Sequence, residues 1–143
     1  MKIMTLILTL SLVGCVSTPS HRNYTDTMAL IKAAADVAPR AVQGVYKFEI
    51  KASGSQRQWV YLNTELDYRD QRNITVALTP KVAAELAEAY GEPAEDFFLN
   101  KSIEVNSYAR RVKILFNTQK PNGKYYYQTH VPVKDTWQIK ILP

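Results

Sequence analysis

The residues best suited to bind something are aromatics set among cations. Trp59 and Tyr61 stand two positions apart in Arg57-Gln58-Trp59-Val60-Tyr61-Leu62-Asn63, a spacing that puts both rings on one side of an extended chain. Such rings stack on a base or a sugar, while ammonium and guanidinium groups beside them hold an anionic substituent. Lys47, Lys51 and Arg57 precede or adjoin the pair, and Arg110, Lys120 and Lys124 follow later in the chain. The second aromatic run is Tyr125-Tyr126-Tyr127-Gln128-Thr129-His130. In a strand, Tyr126, Gln128 and His130 share one face and Tyr125 and Tyr127 the other, so one set is expected in the core. The remaining set, with Tyr108 and Arg110, would line a polar, aromatic patch. The candidate binding set is therefore Lys47, Lys51, Arg57, Trp59, Tyr61, Tyr108, Arg110, Lys120, Lys124, Tyr126 and His130.

Catalytic chemistry finds less support. No Gly-x-Ser-x-Gly occurs, and the histidines are His21 and His130, far apart. Within the main domain His130 is the sole candidate base, and nothing near it in sequence completes a dyad or triad. Two distant histidines and the single Cys15 do not make a transition-metal site. Glu92, Glu95 and Asp96 lack the spacing of a calcium loop, and no glycine-rich phosphate loop is present. The expectation is a non-enzymatic chain with no metal and no cofactor.

The elements that must position these residues form one small domain. The chain has 143 residues, 46% hydrophobic and 22% charged, which excludes wholesale disorder and a multi-span membrane protein. Its net charge of +5 is a mild bias and not the signature of a polyanion binder. Thr25 or Thr27 can cap a helix running to about Val37, with Met28, Ile31 and Ala35 on one face and Pro39 beyond its end. From Gln43 the period becomes two. Tyr46, Phe48 and Ile50 alternate with Lys47, Glu49 and Lys51, and Ala52-Ser53-Gly54-Ser55 reads as a turn. Val60 and Leu62 mark a second strand, and Ile74, Val76 and Leu78 a third.

Thr79-Pro80 opens a helix with Val82, Leu86 and Tyr90 inward, and Gly91 closes it. Strand character returns at Ile103 and Val105 and then at Val112, Ile114 and Phe116. The change from odd to even phase predicts a bulge or bend between Tyr108 and Arg111. A turn over Asn117 to Gly123 leads into a strand over Lys124 to Val133, and Trp137, Ile139 and Ile141 alternate in a last short one.

The order strand, strand, strand, helix, strand, strand over Gln43 to Leu142 resembles the OB-fold, a five-stranded Greek-key barrel that binds oligonucleotides, oligosaccharides and proteins. Trp59-Val60-Tyr61-Leu62-Asn63 and Lys101-Ser102-Ile103-Glu104-Val105 are similar to the second and fourth strands of small OB-fold domains. A mainly β, α+β chain with two helices is expected: an N-terminal helix over 25–42, then a barrel over 43–143. A two-layer α+β sandwich is the competing architecture. The OB-fold resemblance implies a ligand face on the middle strands, flanked by the loops after strands one and four. Ser53, Ser55, Gln56 and Arg57 would then fall in the first loop, and Lys120, Asn122 and Lys124 in the second. The other arrangement left open is that Trp59 and Tyr61 pack beneath the N-terminal helix.

The first fifteen residues carry a second resemblance. Lys2, the uncharged and mostly apolar run Ile3 to Val13, and Leu12-Val13-Gly14-Cys15 resemble a bacterial lipoprotein signal. The resemblance implies cleavage of residues 1–14, a diacylglyceryl group on the Cys15 sulfur and acylation of the new amine. Eleven residues are too few to span a bilayer, which needs about 20. Residues 15–24 would then be a lipidated tether, and the absence of aspartate after the cysteine implies the periplasmic face of the outer membrane ahead of the inner membrane. These readings converge on a lipid-anchored envelope module that recognises a protein or a glycan. An assembly subunit docking through its helix is the alternative, as is an OB-fold nucleic-acid binder, which the export signal opposes.

Overall fold

The computed structural model describes residues 22–24, 26–117, 119–120 and 122–143. The residues of the expected lipoprotein signal, Cys15 among them, lie outside the described residues, as does His21.

Strand β1 (Arg22–Tyr24) runs parallel to β2 (Val42–Glu49), and α1 (Thr27–Asp36) lies between them in sequence. The cap of α1 is Asp26, whose carboxylate accepts from the Met28 amide at 2.9 Å, and neither Thr25 nor Thr27 serves. The helix buries Leu30 and Ala34 against β2 and β6 (Ser102–Leu115), with Ile31 at the margin and Met28 half exposed. The expected face of Met28, Ile31 and Ala35 is thus rotated by about one position. Leu30 and Ala34 are four apart and fill the same stripe.

The segment read as a turn is a strand. Ala52-Ser53-Gly54-Ser55-Gln56 forms β3, paired antiparallel with β4 (Trp59–Asn63), and the reversal falls at Arg57 and Gln58, both with positive φ (50° and 68°). Small, polar residues suggested a turn on propensity, but pairing with β4 supplies the ladder that overrides it. β2 and β3 are two halves of one bent strand. At the corner, the Ile50 amide donates to the Lys101 carbonyl and the Lys51 amide to the Asn63 carbonyl, both at 2.9 Å, so the chain passes from one neighbour strand to the other.

β4 pairs antiparallel with β5 (Ile74–Leu78), β5 parallel with β7 (Tyr125–Val133), β7 antiparallel with β6, and β6 antiparallel with β2. With β2 and β3 counted as one strand, the order closes on itself as 1-2-3-5-4-1, and α2 (Pro80–Tyr90) bridges the third and fourth strands. That is the OB-fold barrel. α2 starts at Thr79, whose side chain accepts from the Val82 amide, and ends at Gly91 in the left-handed region (φ 76°). Its Val82, Ala83 and Leu86 are buried, with Ala94 and Phe98 of the segment that follows joining the same core. α3 (Ala94–Phe97) leads into β6, and a 3-10 turn (Thr136–Gln138) into β8 (Ile139–Ile141), which extends the sheet beside Ile103–Val105. The barrel interior is filled by Tyr46, Phe48, Ile50, Val60, Leu62, Ile74, Val76, Leu78, Ile103, Val105, Val131 and Val133.

The predicted bulge in β6 is absent. Val42↔Ala109 to Glu49↔Ser102 pair one for one, as do Arg110↔His130 to Leu115↔Tyr125. What changes at Arg110 is the partner strand, because beyond Ala109 the β6–β7 hairpin leaves the barrel. Odd residues, which face the core up to Ala109, then emerge into solvent at Arg111 and Lys113, and even residues turn to a cleft on the other side.

Candidate binding cleft

The barrel's outer face over β3, β4, β5 and β7 is open. α1 packs on β2 and β6, on the far side, so Trp59 and Tyr61 do not lie beneath it. A cleft of about 510 Å³ crosses this face, lined among others by Gly54, Gln56, Tyr61, Asn63, Leu66, Tyr68, Thr75, Ile114, Tyr126, Gln128 and His130. Register explains the grouping. Gly54 is paired with Tyr61, Asn63 with Thr75, Thr75 with His130, and Tyr126 with Ile114, so outward residues of five strands form one surface. A Cβ on Gly54 would meet nothing within 4 Å, which leaves the cleft open above β3.

The floor is a satisfied polar network. Asn63 Oδ1 accepts from Thr75 Oγ1 at 2.8 Å and from Asn73 Nδ2 at 3.1 Å, and Asn73 Nδ2 also reaches Thr75 Oγ1 and the Tyr68 carbonyl. Asn73 Oδ1 accepts from the Glu65 amide, so one side chain ties the loop over residues 64–73 to the sheet. That loop raises Leu66 and Tyr68 as an exposed rim, 81% and 53% accessible. Its charges are spent locally, Arg69 on Asp67 and Arg72 on Asp70, and the Arg72 guanidinium holds the Asp70 carboxyl down to about 2.

The wall is set by Gln128. Its amide nitrogen donates to the Tyr68 carbonyl at 3.2 Å and to the Tyr126 hydroxyl at 2.9 Å. A carbonyl only accepts, so the amide orientation is determined, and Gln128 Oε1 must accept from His130 Nε2 at 2.7 Å. Burial, aided by the Arg110 charge, lowers the His130 pKa to about 4. The ring is neutral near pH 7, with its proton on Nε2 and Nδ1 free to accept. Burial likewise raises the Tyr126 hydroxyl above its ordinary value, which keeps it a neutral donor. Among the described residues no Lys, Arg, Asp or Glu lines the cleft.

Of the residues singled out in sequence, the fold therefore gathers Tyr61, Tyr126 and His130 at one site. The others are dispersed. Lys47 lies on β2 and faces Glu104 at 4.0 Å, because that half of the bent strand pairs with β6 and not with β4. Lys51 is paired with Glu65. Arg57 sits at the β3–β4 reversal and lines a second, more open cavity of about 910 Å³ between that turn and α2, while Trp59 is exposed at the end of β4 outside the cleft lining. Tyr108 lies below the Lys134 ammonium, 5.9 Å away, and Arg110 is exposed beside His130. Lys120 and Lys124 are exposed at the hairpin turn. Neither set of the tyrosine run is core: Tyr125 and Tyr127 are 49% and 40% exposed, and burial on their face begins only at Thr129.

Sequence reasoning missed Asn63, Leu66, Tyr68 and Thr75. Asn63 and Thr75 occupy the outward phase of β4 and β5 and could have been found there. Leu66 and Tyr68 belong to an irregular loop with no periodicity to place them.

No family model matches the chain, and neither does any curated protein sequence. Among solved structures, it is similar to an aspartyl-tRNA synthetase of Leishmania major (TM-score 0.47, 10% identity, 92% of this chain and 23% of that one). An aspartyl-tRNA synthetase of Entamoeba histolytica gives 0.47 and 10%, over 94% of this chain and 24% of that one. The mitochondrial single-stranded-DNA-binding protein Rim1 of S. cerevisiae gives 0.42 and 9%, over 72% of this chain and 95% of that one. The chain thus spans about a quarter of the length of the two synthetases. Strand order, and not these distant likenesses, assigns the chain to the OB-fold.

Proposed function

We propose that this chain is a non-enzymatic binding module of the cell envelope, anchored through a lipid on Cys15, and that its outer-face cleft takes a neutral glycan. The observation that carries the ligand class is the cleft's chemistry. Tyr61, Tyr68 and Tyr126 offer ring faces to the C–H faces of a sugar, and the groups that the internal network leaves over, the Tyr126 hydroxyl proton, Nδ1 of the neutral His130 and Asn63 Nδ2, offer uncharged donors and an acceptor to its hydroxyls. A nucleic acid would bring a phosphate for every nucleotide into a lining that holds no cation. His130 is oriented by an amide and not by a carboxylate, which suits recognition better than proton abstraction.

The test is calorimetric titration of the protein with neutral hexose and N-acetylhexosamine oligosaccharides, and with a single-stranded oligonucleotide. The expected result is saccharide binding that is insensitive to salt and falls at least about 10-fold in Tyr61→Ala, the cost of one lost stacking contact. Failure of every neutral saccharide, or oligonucleotide binding that Tyr61→Ala abolishes, overturns the reading. For the anchor, the intact mass of membrane-extracted protein should show residues 1–14 removed and acyl mass added at Cys15, with both changes absent from Cys15→Ser. An unmodified full-length chain would overturn it.

A further inference from the structure

The hairpin of β6 and β7 carries a second surface on the side away from the cleft. Between Glu104 and Asp135 the sequence contains no acidic residue, while it contains Arg110, Arg111, Lys113, Lys120, Lys124 and Lys134. Among the described residues none of these six cations forms a salt bridge, whereas elsewhere Lys32, Lys47, Lys51, Arg69, Arg72, Lys81 and Lys140 do and Arg40, Arg57 and Lys101 do not. Three of the six lie over aromatic faces instead, Lys134 the most distantly, 5.9 Å from the Tyr108 centroid. The Arg111 guanidinium lies 4.3 Å from the centroid of Tyr127, and the Lys113 ammonium 4.2 Å from that of Tyr125. The two rings meet edge to face at 5.5 Å.

Register puts all four side chains on one face. Lys113 is opposite Tyr127, and Arg111 and Tyr125 are the next outward positions of their own strands. This face continues the core side of the sheet past the barrel's end, all four residues are exposed, so among the described residues nothing buries it, and neither cavity includes any of the four. It is a two-stranded ribbon.

From this we infer that the Arg111–Lys113–Tyr125–Tyr127 face docks on an anionic phospholipid surface. Each cation is held by a ring and not by a carboxylate, so no ion pair must break before it meets a phosphate. Tyrosine with its apolar body and wet hydroxyl belongs at the headgroup boundary, and lysine and arginine stems reach over apolar surface while their heads stay in the aqueous layer. A ribbon with cations and no acidic residue fits a surface of negative headgroups, and neither cavity reaches these four side chains to give a threaded polyanion a groove. The inference stands apart from the cleft, whose residues point the opposite way.

The experiment is sedimentation of the full chain, with the Cys15→Ser change throughout, with vesicles of equal phosphatidylcholine and phosphatidylglycerol and with vesicles of phosphatidylcholine alone. Any pull of the apolar N-terminus acts on both vesicle types, so the readout is the difference between them. At about 5-fold per cation near a charged surface, Arg111→Gln/Lys113→Gln should weaken the phosphatidylglycerol-dependent part about 30-fold, and added salt should weaken it further. Lys32→Gln/Lys81→Gln, which removes the same charge from the helices, should change it little. If circular dichroism shows the first double variant misfolded, Lys120→Gln/Lys124→Gln in the exposed turn replaces it with the same expectation. No preference for phosphatidylglycerol, equal losses in the arm and helix variants, or capture of a single-stranded oligonucleotide in place of vesicles would overturn the inference. Tyr61→Ala should leave vesicle binding intact, so failure here and failure of the saccharide reading are separable.

Discussion

His130 Nε2 lies 2.7 Å from the Oε1 of Gln128, two residues earlier on the same face of β7. Because Gln128 spends its amide protons on the Tyr68 carbonyl and the Tyr126 hydroxyl, one side chain links the loop rim, the hairpin and the histidine. The cleft wall is preorganised by a glutamine and not by an ion pair. Its shape should therefore be insensitive to salt.

The same contact has a pH signature. The His130 pKa of about 4 is below the ordinary value of 6.5, so between these limits the unfolded chain binds the proton more readily and folding stability falls as pH falls. Urea unfolding should show a loss of about 2 kcal/mol from pH 7 to pH 5, most of it absent from His130→Gln. Asp67 and Asp70 also have depressed values, but their contribution is present above the ordinary 3.8 and is lost only below it. An unchanged slope in His130→Gln would refute the assignment.

Gly54 offers a way to close the cleft without disturbing the fold. It sits in the β3 ladder opposite Tyr61, is exposed, and has open space where a side chain would go. Gly54→Phe should abolish saccharide binding while the thermal midpoint stays within a few degrees of wild type. Retained binding would place the ligand elsewhere.

Asn73 is the pin of the loop over residues 64–73. Asn73→Ala leaves the Glu65 amide without its acceptor and removes a donor shared by Asn63, Thr75 and Tyr68. The expected cost is about 3 kcal/mol in chemical denaturation, since buried polar groups lose partners. Ligand affinity should drop as well, because Leu66 and Tyr68 lose their support. A cost below about 1 kcal/mol would show that the loop holds itself.

Two turns with positive φ should respond with opposite sign. Gly91→Ala places a β-carbon at φ 76°, costing about 1 kcal/mol although no atom lies within 4 Å to clash. Gln58 occupies φ 68° in the two-residue reversal after β3, a position that favours glycine, so Gln58→Gly should stabilise by about 0.5 to 1 kcal/mol. Thermal midpoints of the two variants check both signs.

Much of the barrel was legible in the amino-acid sequence because its signals are local. Strict alternation in Tyr46–Phe48–Ile50, Val60–Leu62 and Ile74–Val76–Leu78 identifies half-buried strands. The Thr79-Pro80 start and Gly91 stop identify α2 by capping chemistry alone. Those residues also dictate which face of their strands is core, and hence that Tyr61 points outward, whereas the face of Tyr126 and His130 was open in the sequence and was decided by the fold. Pairing between strands decided the rest. That Ala52–Gln56 is a strand, that Lys47 faces Glu104 while Gly54 faces Tyr61, and that β6 changes partner at Arg110 all depend on the bend at Ile50–Lys51 and on barrel closure. Periodicity tells a residue its face but not its neighbours. Only closure of the sheet brought Gly54, Tyr61, Thr75, His130 and Tyr126, from four strands and more than seventy positions of sequence, onto one surface.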